Sequence, residues 1–399
     1  MKKKILFAYT FMMIGGSTTS LISLLQNIDY SKYDVDLLLM KKGYPLDYMI
    51  PNQVNVLEPA LTFKNKRAEF LGKIASPRSA VYILRSRLMP KILKKYHAGA
   101  VKSQLVNKSN AMLSRRIDQC YDCAISFIES WPTEYVAYYV KSKKKIAWYH
   151  LDYIAAGFYP KYDRKTYAYF DKIVLVSDQC KANFDSIFPE YTKRTVAIEN
   201  ILTSSYIEKM SSAYAQEIIQ RNPGRINLIT VCRISFKHKG IDRGVRMIKE
   251  IVSNNDFDEN VNWYIIGDGE DYISLSEIIK QEGLEQYVHL LGAIDNPLPY
   301  VKAADLFFLP SRFEGKPMAV TEAFLCGIPV LVTNYASAKE QVKCGFDGLV
   351  VDNSEQGIYA GLFELITNPA KLQNFRDNVL GSNYSNVEEI KKVEEMLDD

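Results

Sequence analysis

The sequence predicts an α/β protein of two domains, each a parallel sheet with helices on both faces. Three observations carry that prediction. Short apolar runs alternate with helical patterns from end to end, the order that builds parallel sheets through right-handed crossovers. A polar break at 201–225, ILTSSYIEKMSSAYAQEIIQRNPGR, expected to be helical, divides the alternation into two series. The chain, at 399 residues, is also longer than one ordinary core supports.

The first strand expected is Lys4–Ala8. Its surroundings, MKKKILFAYTFMMIGGSTTSLISLLQNI, begin like a signal peptide or a membrane span, with three lysines before an uncharged run. Gly15-Gly16-Ser-Thr-Thr-Ser interrupts the run and no convincing cleavage site follows. Strand, glycine turn and helix Thr18–Asn27 is the better fit. Further strands are expected at Val35–Met40, Ala124–Ile128, Lys145–Trp148, Lys172–Val176 and Val196–Ile198, with helices at Ala80–Met89 and Asp178–Ile187. The break ends in the turn residues Asn222-Pro223-Gly224. The second series has strands at Asn227–Val231, Asn262–Ile266, Val288–Leu291, Leu306–Leu309, Pro329–Val332 and Gly348–Val350. Its helices are Ile241–Ser253, Asp271–Glu282, Pro317–Cys326 and Glu355–Ile366. The domains expected are therefore 1–200 and 201–383. The acidic end, 384–399, could form a helix that packs back on the first domain.

Composition narrows the class. Hydrophobic residues make up 47% and charged residues 24%, which reads as soluble and globular rather than disordered. The net charge of +4 conceals an asymmetry. There are 31 basic and 17 acidic residues up to Asn200, against 19 and 29 after it, so the two lobes are expected to meet different partners. The six cysteines include one isolated CxxC, Cys120–Cys123, and no metal spacing, so they are read as reduced and structural. Asp34-Val35-Asp36 is a D-x-D triplet without partner ligands and is not taken as a metal site. Between Ala60 and Arg116 lie fourteen basic residues and one acid, Glu69. Val81, Leu84, Leu88 and Ile92 fall on one helical stripe there and Arg87, Lys91 and Lys94 fall to one side of it; the segregation is incomplete, because Arg85 and Lys95 lie near the stripe, and Pro90 is expected to interrupt the helix. That combination suits an anionic membrane surface. A solvated basic face is the rival reading of the same residues. Nucleic acid is not expected, because no recognition module accompanies the charge.

The stretch SRFEGKPMAVTEAFLCGIPVLVTN bears the most chemistry. Glu314 and Glu322 stand eight positions apart, too poorly aligned on one unbroken helix to share a ligand. Pro317 removes the difficulty, since it disfavours helix at Lys316 and suits a helix start, while Gly327 and Pro329 end the helix. Glu314 is then expected in a loop and Glu322 inside a helix, with free N–H groups at the helix start facing a phosphate or polar sugar. An ordinary loop with two solvated glutamates is the rival reading of the same residues.

In its setting, PSRFEGKPMAVTEAFLCGIPVL, this pair resembles the E-x7-E motif of retaining family 4 glycosyltransferases of the GT-B fold. VCRISFKHKGIDRG resembles the family's V-G-R-(L/I)-x-x-x-K-G segment, IIGDGED its strand with Gly-x-Gly, and HLLGAIDNPLPYVKAADLFFLPSRFEG the segment beneath the nucleotide base. The resemblance implies GT-B architecture, two Rossmann-like domains with parallel sheets facing across a cleft. It implies that Glu322 binds the ribose hydroxyls, that Glu314 contacts the donor sugar, and that Arg233 and Lys239 hold the diphosphate. It adds Gly267, Gly292, Ala293, Ile294, Gly315, Lys316, Pro317 and Met318 to the donor site. In the first domain it implies roles for the turn Gly15-Gly16 and for His150, near the transferred sugar, although a satisfied strand-end histidine fits the same residue. The family's Gly-Phe-Gly after the first glutamate reads Gly315-Lys316-Pro317, and its glycine before the arginine is Cys232.

The function implied is transfer of a sugar, with retention of configuration, from a nucleotide sugar to a saccharide acceptor, lipid-linked or free. SFIESWPTEYVAYY and KKIAWYHLDY resemble bacterial capsular and exopolysaccharide enzymes. No cofactor or metal is expected, and the chain is expected in the cytoplasm, peripheral to the inner face of the cell membrane. The alternatives are a nucleotide-sugar epimerase of the same fold and a saccharide- or nucleotide-binding protein without catalysis.

Overall fold

The computed structural model describes residues 2–13, 15–62, 72–73, 75–212, 225–253, 261–335 and 337–398. The chain forms two compact units, Met1–Ile201 with Val387–Asp399, and Leu202–Asn386.

The first unit is built on a seven-stranded parallel sheet in the order β3-β2-β1-β4-β5-β6-β7. Its strands are β1 (Lys3–Tyr9), β2 (Tyr33–Leu39), β3 (Asn55–Val56), β4 (Cys120–Ser126), β5 (Lys141–Tyr149), β6 (Lys172–Leu175) and β7 (Thr195–Ala197). The central strands are apolar runs buried on both faces, as a helix-covered parallel sheet requires: Ile5, Leu6, Phe7, Ala124, Ile125 and Ile146 have almost no exposed surface. The lysine-led N-terminal run is strand β1, followed by the helix Gly16–Asn27 with Gly15 at its N-cap.

The second unit holds a six-stranded parallel sheet in the order β10-β9-β8-β11-β12-β13. These strands are β8 (Ile226–Val231), β9 (Val261–Ile266), β10 (Val288–Gly292), β11 (Leu306–Leu309), β12 (Val330–Thr333) and β13 (Gly348–Val351). Trp263 and Phe308 meet at the centre of its core, 5.1 Å between rings.

The order reverses once in each sheet. In the first unit, the chain runs outward from β1 to β3 and returns at β4. In the second, it runs from β8 to β10 and returns at β11. Loops leaving the carboxyl ends of the two strands at such a reversal diverge and open a crevice, the usual ligand position in sheets of this kind.

Two expectations change. Pro90 does not interrupt its helix, which runs Pro77–Ile92. Only two residues follow the proline, so the single hydrogen bond it removes lies in the last turn, where Leu93 N–H caps the end on Met89 O at 2.8 Å. The break is not helical throughout its described part: a helix covers Ser204–Ser211, and residues 213–224 lie outside the described residues.

Candidate active site

The crevice of the second unit lies between the loops that follow β8 and β11. After β8 come Cys232–Ser235, a short helix Phe236–Lys239, then Gly240 and the helix Ile241–Val252. Gly240 has φ +61°, and a Cβ there would stand 2.4 Å from Pro310 O. Only glycine admits both the left-handed turn and that contact.

The two loops are stitched together. Arg312 and Phe313 N–H donate to His238 O at 2.8 and 3.2 Å. Arg312 grips Asp242 through both terminal nitrogens, at 2.8 and 3.0 Å. Arg243, 5% exposed, donates to Pro310 O (3.0 and 2.8 Å), Ser311 O (2.9 Å), Asn353 O (3.2 Å) and Asn353 Oδ1 (2.5 Å). Burial pulls its guanidinium down to about 10, still charged at neutral pH. A buried cation is satisfied there almost entirely by loop carbonyls.

That scaffold presents Glu314. Its Oε1 accepts from Lys239 Nζ and from Ser311 Oγ, both at 2.6 Å, and its side chain is only 9% exposed. The structure therefore brings together two of the residues expected in the site, one from each loop. Arg233 shares no hydrogen bond with them. It is 62% exposed and pairs with Glu270 at 4.0 Å.

Glu322 is inside the helix Met318–Leu325 and Glu314 precedes it, as Pro317, at the N-cap, dictates. The helix is one residue shorter at each end than expected. Ser337 Oγ donates to Gly315 O, and Gln341 Nε2 to Pro317 O at 2.9 Å and Thr321 Oγ1 at 3.0 Å, which fixes the turn leading into the helix. Among the described residues no donor reaches the Glu322 carboxylate, and desolvation alone pushes its pKa up to about 7. A half-buried carboxylate in that condition is an acceptor lacking a donor.

Gly267, Gly269 and Gly292 are placed at the same end of the sheet. A Cβ on Gly267, whose φ is +144°, would lie 1.9 Å from Cys232 O, and one on Gly269 would lie 2.2 Å from Ile234 O. These two glycines let the chain after β9 cross the β8 loop backbone to backbone, with Cys232 N–H on Ile266 O and Ile234 N–H on Asp268 O. Gly292, φ +72°, sits at a register shift ending β10 and accepts from Gly267 N–H at 2.8 Å. Ala293 is exposed and Ile294 half-buried just beyond it.

In the first unit, Gly15 precedes the helix Gly16–Asn27, and nothing lies within 4 Å of where its Cβ would be. His150 follows β5. Its Nε2 is 3.0 Å from Phe127 O and its Nδ1 2.8 Å from Asn200 Oδ1. A carbonyl only accepts, so Nε2 carries the hydrogen. Burial lowers the ring to about 4, leaving it neutral, so Nδ1 must accept and the Asn200 amide must turn its NH2 toward it. His150 is thus satisfied within its own unit, with its backbone N–H also donating to Glu129 Oε2 at 2.7 Å.

Sequence reasoning missed Arg243, Asp242, Arg312 and Asn353. Arg243 stands inside the quoted segment KGIDRG, but nothing local marks it as buried. It also missed a cavity of about 200 Å³ in the first unit, lined in part by Gln104, Glu129, Glu134, Tyr149 and Asp163. Burial raises Glu129 to about 7 and Asp163 to about 6, while Lys108 pairs with Glu134.

The comparisons agree with this architecture. Residues 215–380 match the family model described as glycosyl transferases group 1. The chain has the GT-B fold, and it resembles glycosyltransferases of bacterial polysaccharide synthesis. The structure of Anabaena Alr3699/HepE in complex with UDP-glucose superposes with a TM-score of 0.69 at 19% identity, over 99% of each chain. The O-antigen biosynthesis glycosyltransferase WclY of Escherichia coli is 25% identical over 42% of this chain and 44% of that protein. An Escherichia coli UDP-Gal:alpha-D-GlcNAc-diphosphoundecaprenol alpha-1,3-galactosyltransferase is 28% identical over 38% of this chain and 39% of that protein. The chain spans about half or less of the length of these curated relatives.

Proposed function

We propose that this protein is a retaining, metal-independent glycosyltransferase that moves a sugar from a uridine diphosphate sugar to a lipid-linked saccharide in surface-polysaccharide synthesis. The observation that carries the reading is the arrangement at the β8/β11 reversal: Glu314 held against Lys239, with Glu322 unpaired on the following helix. Ribose hydroxyls supply the donors that Glu322 lacks. Lys239 and Arg233 neutralise the diphosphate as its bond to the anomeric carbon breaks, the task a divalent cation performs elsewhere. Glu314 keeps Lys239 in place and accepts from the sugar hydroxyls. The acceptor oxygen joins the anomeric carbon on the face the diphosphate leaves, and its proton passes to the departing diphosphate oxygen. No protein base is needed. The choice of uridine is supported by the UDP-glucose of the Anabaena structure, and that of a lipid-linked acceptor by the diphosphoundecaprenol substrate of the galactosyltransferase.

The test is turnover of a panel of UDP sugars with a polyprenyl-diphosphate-linked saccharide, in excess EDTA. Acceptor-dependent release of UDP is expected, with the donor's anomeric configuration kept in the product by proton NMR. Glu322→Ala should weaken nucleotide binding roughly ten- to 150-fold, the value of a lost charged hydrogen bond. Arg233→Ala should lower turnover more than it weakens nucleoside binding. Donor consumption without acceptor would point to an epimerase, and an inverted product or a manganese requirement would overturn the mechanism.

A further inference from the structure

The helix Pro77–Ile92 is built inside out. Its buried residues are Ser79, with no exposed surface, and Ser86, 3% exposed. Ser79 Oγ meets Ser109 Oγ of the neighbouring helix Ala98–Leu113 at 2.6 Å, and Ser86 Oγ bonds back to Ile83 O at 2.7 Å. Four aliphatic residues point the other way, Val81 being 52% exposed, Leu84 59%, Leu88 49% and Ile92 67%, while Ile83, on the serine side, is half-buried. At about 100° per residue these four fall within roughly 80° of arc, one continuous stripe. A globular surface helix normally turns this stripe to the core. Here the fully buried positions are small hydroxyls and the aliphatic stripe faces outward, open to an apolar partner.

The flanking charge says what. On the same helical wheel, Arg78 and Arg85 border one side of the stripe, and Arg87 and Lys91 the other. All four are exposed, as are Lys94, Lys95 and Lys102 beyond them. Between Pro77 and Ile117 the sequence contains no aspartate or glutamate. Arg85 also stands over the Tyr162 ring, 5.7 Å from its centroid. An apolar stripe with cations on both shoulders, in a stretch of sequence without acids, is complementary to an anionic lipid surface, whose headgroups meet the cations while the aliphatic side chains enter the acyl boundary.

We propose that the helix Pro77–Ile92 seats the first unit on an anionic membrane, with Val81, Leu84, Leu88 and Ile92 inserted and Arg78, Arg85, Arg87 and Lys91 on the headgroups. The proposal stands without the catalytic reading, because none of these residues belongs to the candidate active site.

The experiment is cosedimentation of the full chain with phosphatidylcholine vesicles and with vesicles containing one third phosphatidylglycerol, at low and high salt. The anionic vesicles should carry the protein down and the neutral ones should not, and high salt should weaken the association at least tenfold, because exposed charges are screened over about 8 Å near physiological ionic strength. Replacing Val81, Leu84, Leu88 and Ile92 together with serine should cut partition into anionic vesicles at least tenfold while nucleotide binding stays unchanged. The residues are exposed, so folding should survive; the single substitution Leu88→Glu serves if it does not. Insertion is read separately with Leu88→Trp, whose emission should shift to the blue on anionic vesicles, relative to the wild-type signal from the buried Trp131, Trp148 and Trp263. Sedimentation that ignores lipid charge, or that survives the serine substitutions, overturns the proposal. So does an unshifted tryptophan, or equal retention on a soluble polyanion such as heparin, which would make this a site for acidic polymers.

Discussion

The carboxylate of Glu322 gives the candidate site a pH signature. Desolvation lifts it from the ordinary 4.5 to about 7, so the folded apoprotein holds its proton where the unfolded chain has lost it. Its contribution to stability is full below 4.5, falls as pH rises toward 7, and is gone above. Glu322→Gln should therefore stabilise the apoprotein at pH 8 by about 1–2 kcal/mol, once the partial exposure of the side chain is allowed for, and change little at pH 4, read by thermal melts across pH. Ligand hydroxyls favour the charged form. Affinity for a UDP sugar, whose doubly esterified diphosphate does not titrate near neutrality, should rise with pH up to about 7 and then level. Calorimetry should show that dependence vanish in Glu322→Gln; an unaltered slope would remove Glu322 from the ligand.

Among elements, the loop after β11 depends on the loop after β8, and two residues measure that dependence. Gly267→Ala places a methyl 1.9 Å from Cys232 O at φ +144°, in a crossing of two main chains that has no flexible side chain to yield. A loss of about 3 kcal/mol or more is expected by chemical denaturation, beyond the 1–3 kcal/mol of backbone strain alone. Arg243→Met keeps the bulk but leaves the carbonyls of Pro310, Ser311 and Asn353 without their donor. It should cost about 2–4 kcal/mol, and it should lower kcat for sugar transfer more than it raises KM for the donor, since it loosens the loop that aims Glu314. An activity profile unchanged apart from a lower melting temperature would confine Arg243 to stability.

At the scale of the molecule, the last segment belongs to the first unit. The helix Glu389–Asp398 buries Ile390, Val393, Met396 and Leu397. Its C-terminal carbonyls accept from Lys3 and Lys144, and Glu394 accepts the Asp29 N–H at 3.0 Å. Deleting 387–399 should strip hydrogen-exchange protection from β1 and β5 while β8, β9 and β11 stay protected; equal loss in both sheets would show that the units unfold together. Much of this protein was legible in the chain itself. Strand and helix alternation reports which residues can bury a face, and the placement of Glu314 in a loop and Glu322 on a helix followed from Pro317 and Gly327, because proline and glycine restrict the backbone locally. Gly267 was picked out, but its clash partner, Cys232 O, lies 35 residues away and only folding brings it there. Arg243 could not be ranked above its exposed neighbour Arg246, since both are arginines on one helix and only the arrival of the β11 loop buries one of them. The aliphatic stripe of Pro77–Ile92 was legible, but its direction was not. A helical period says that one face is apolar; which way that face points is decided by what packs against the other, here a serine pair too small and polar to signal a core. The sequence by itself determined the sheets, the caps and the residue types of the site, all set by local backbone and hydrophobic periodicity. The tertiary structure alone decided which carboxylate goes unpaired, which arginine is buried and which helix face looks outward, because each depends on contacts between segments far apart in the chain.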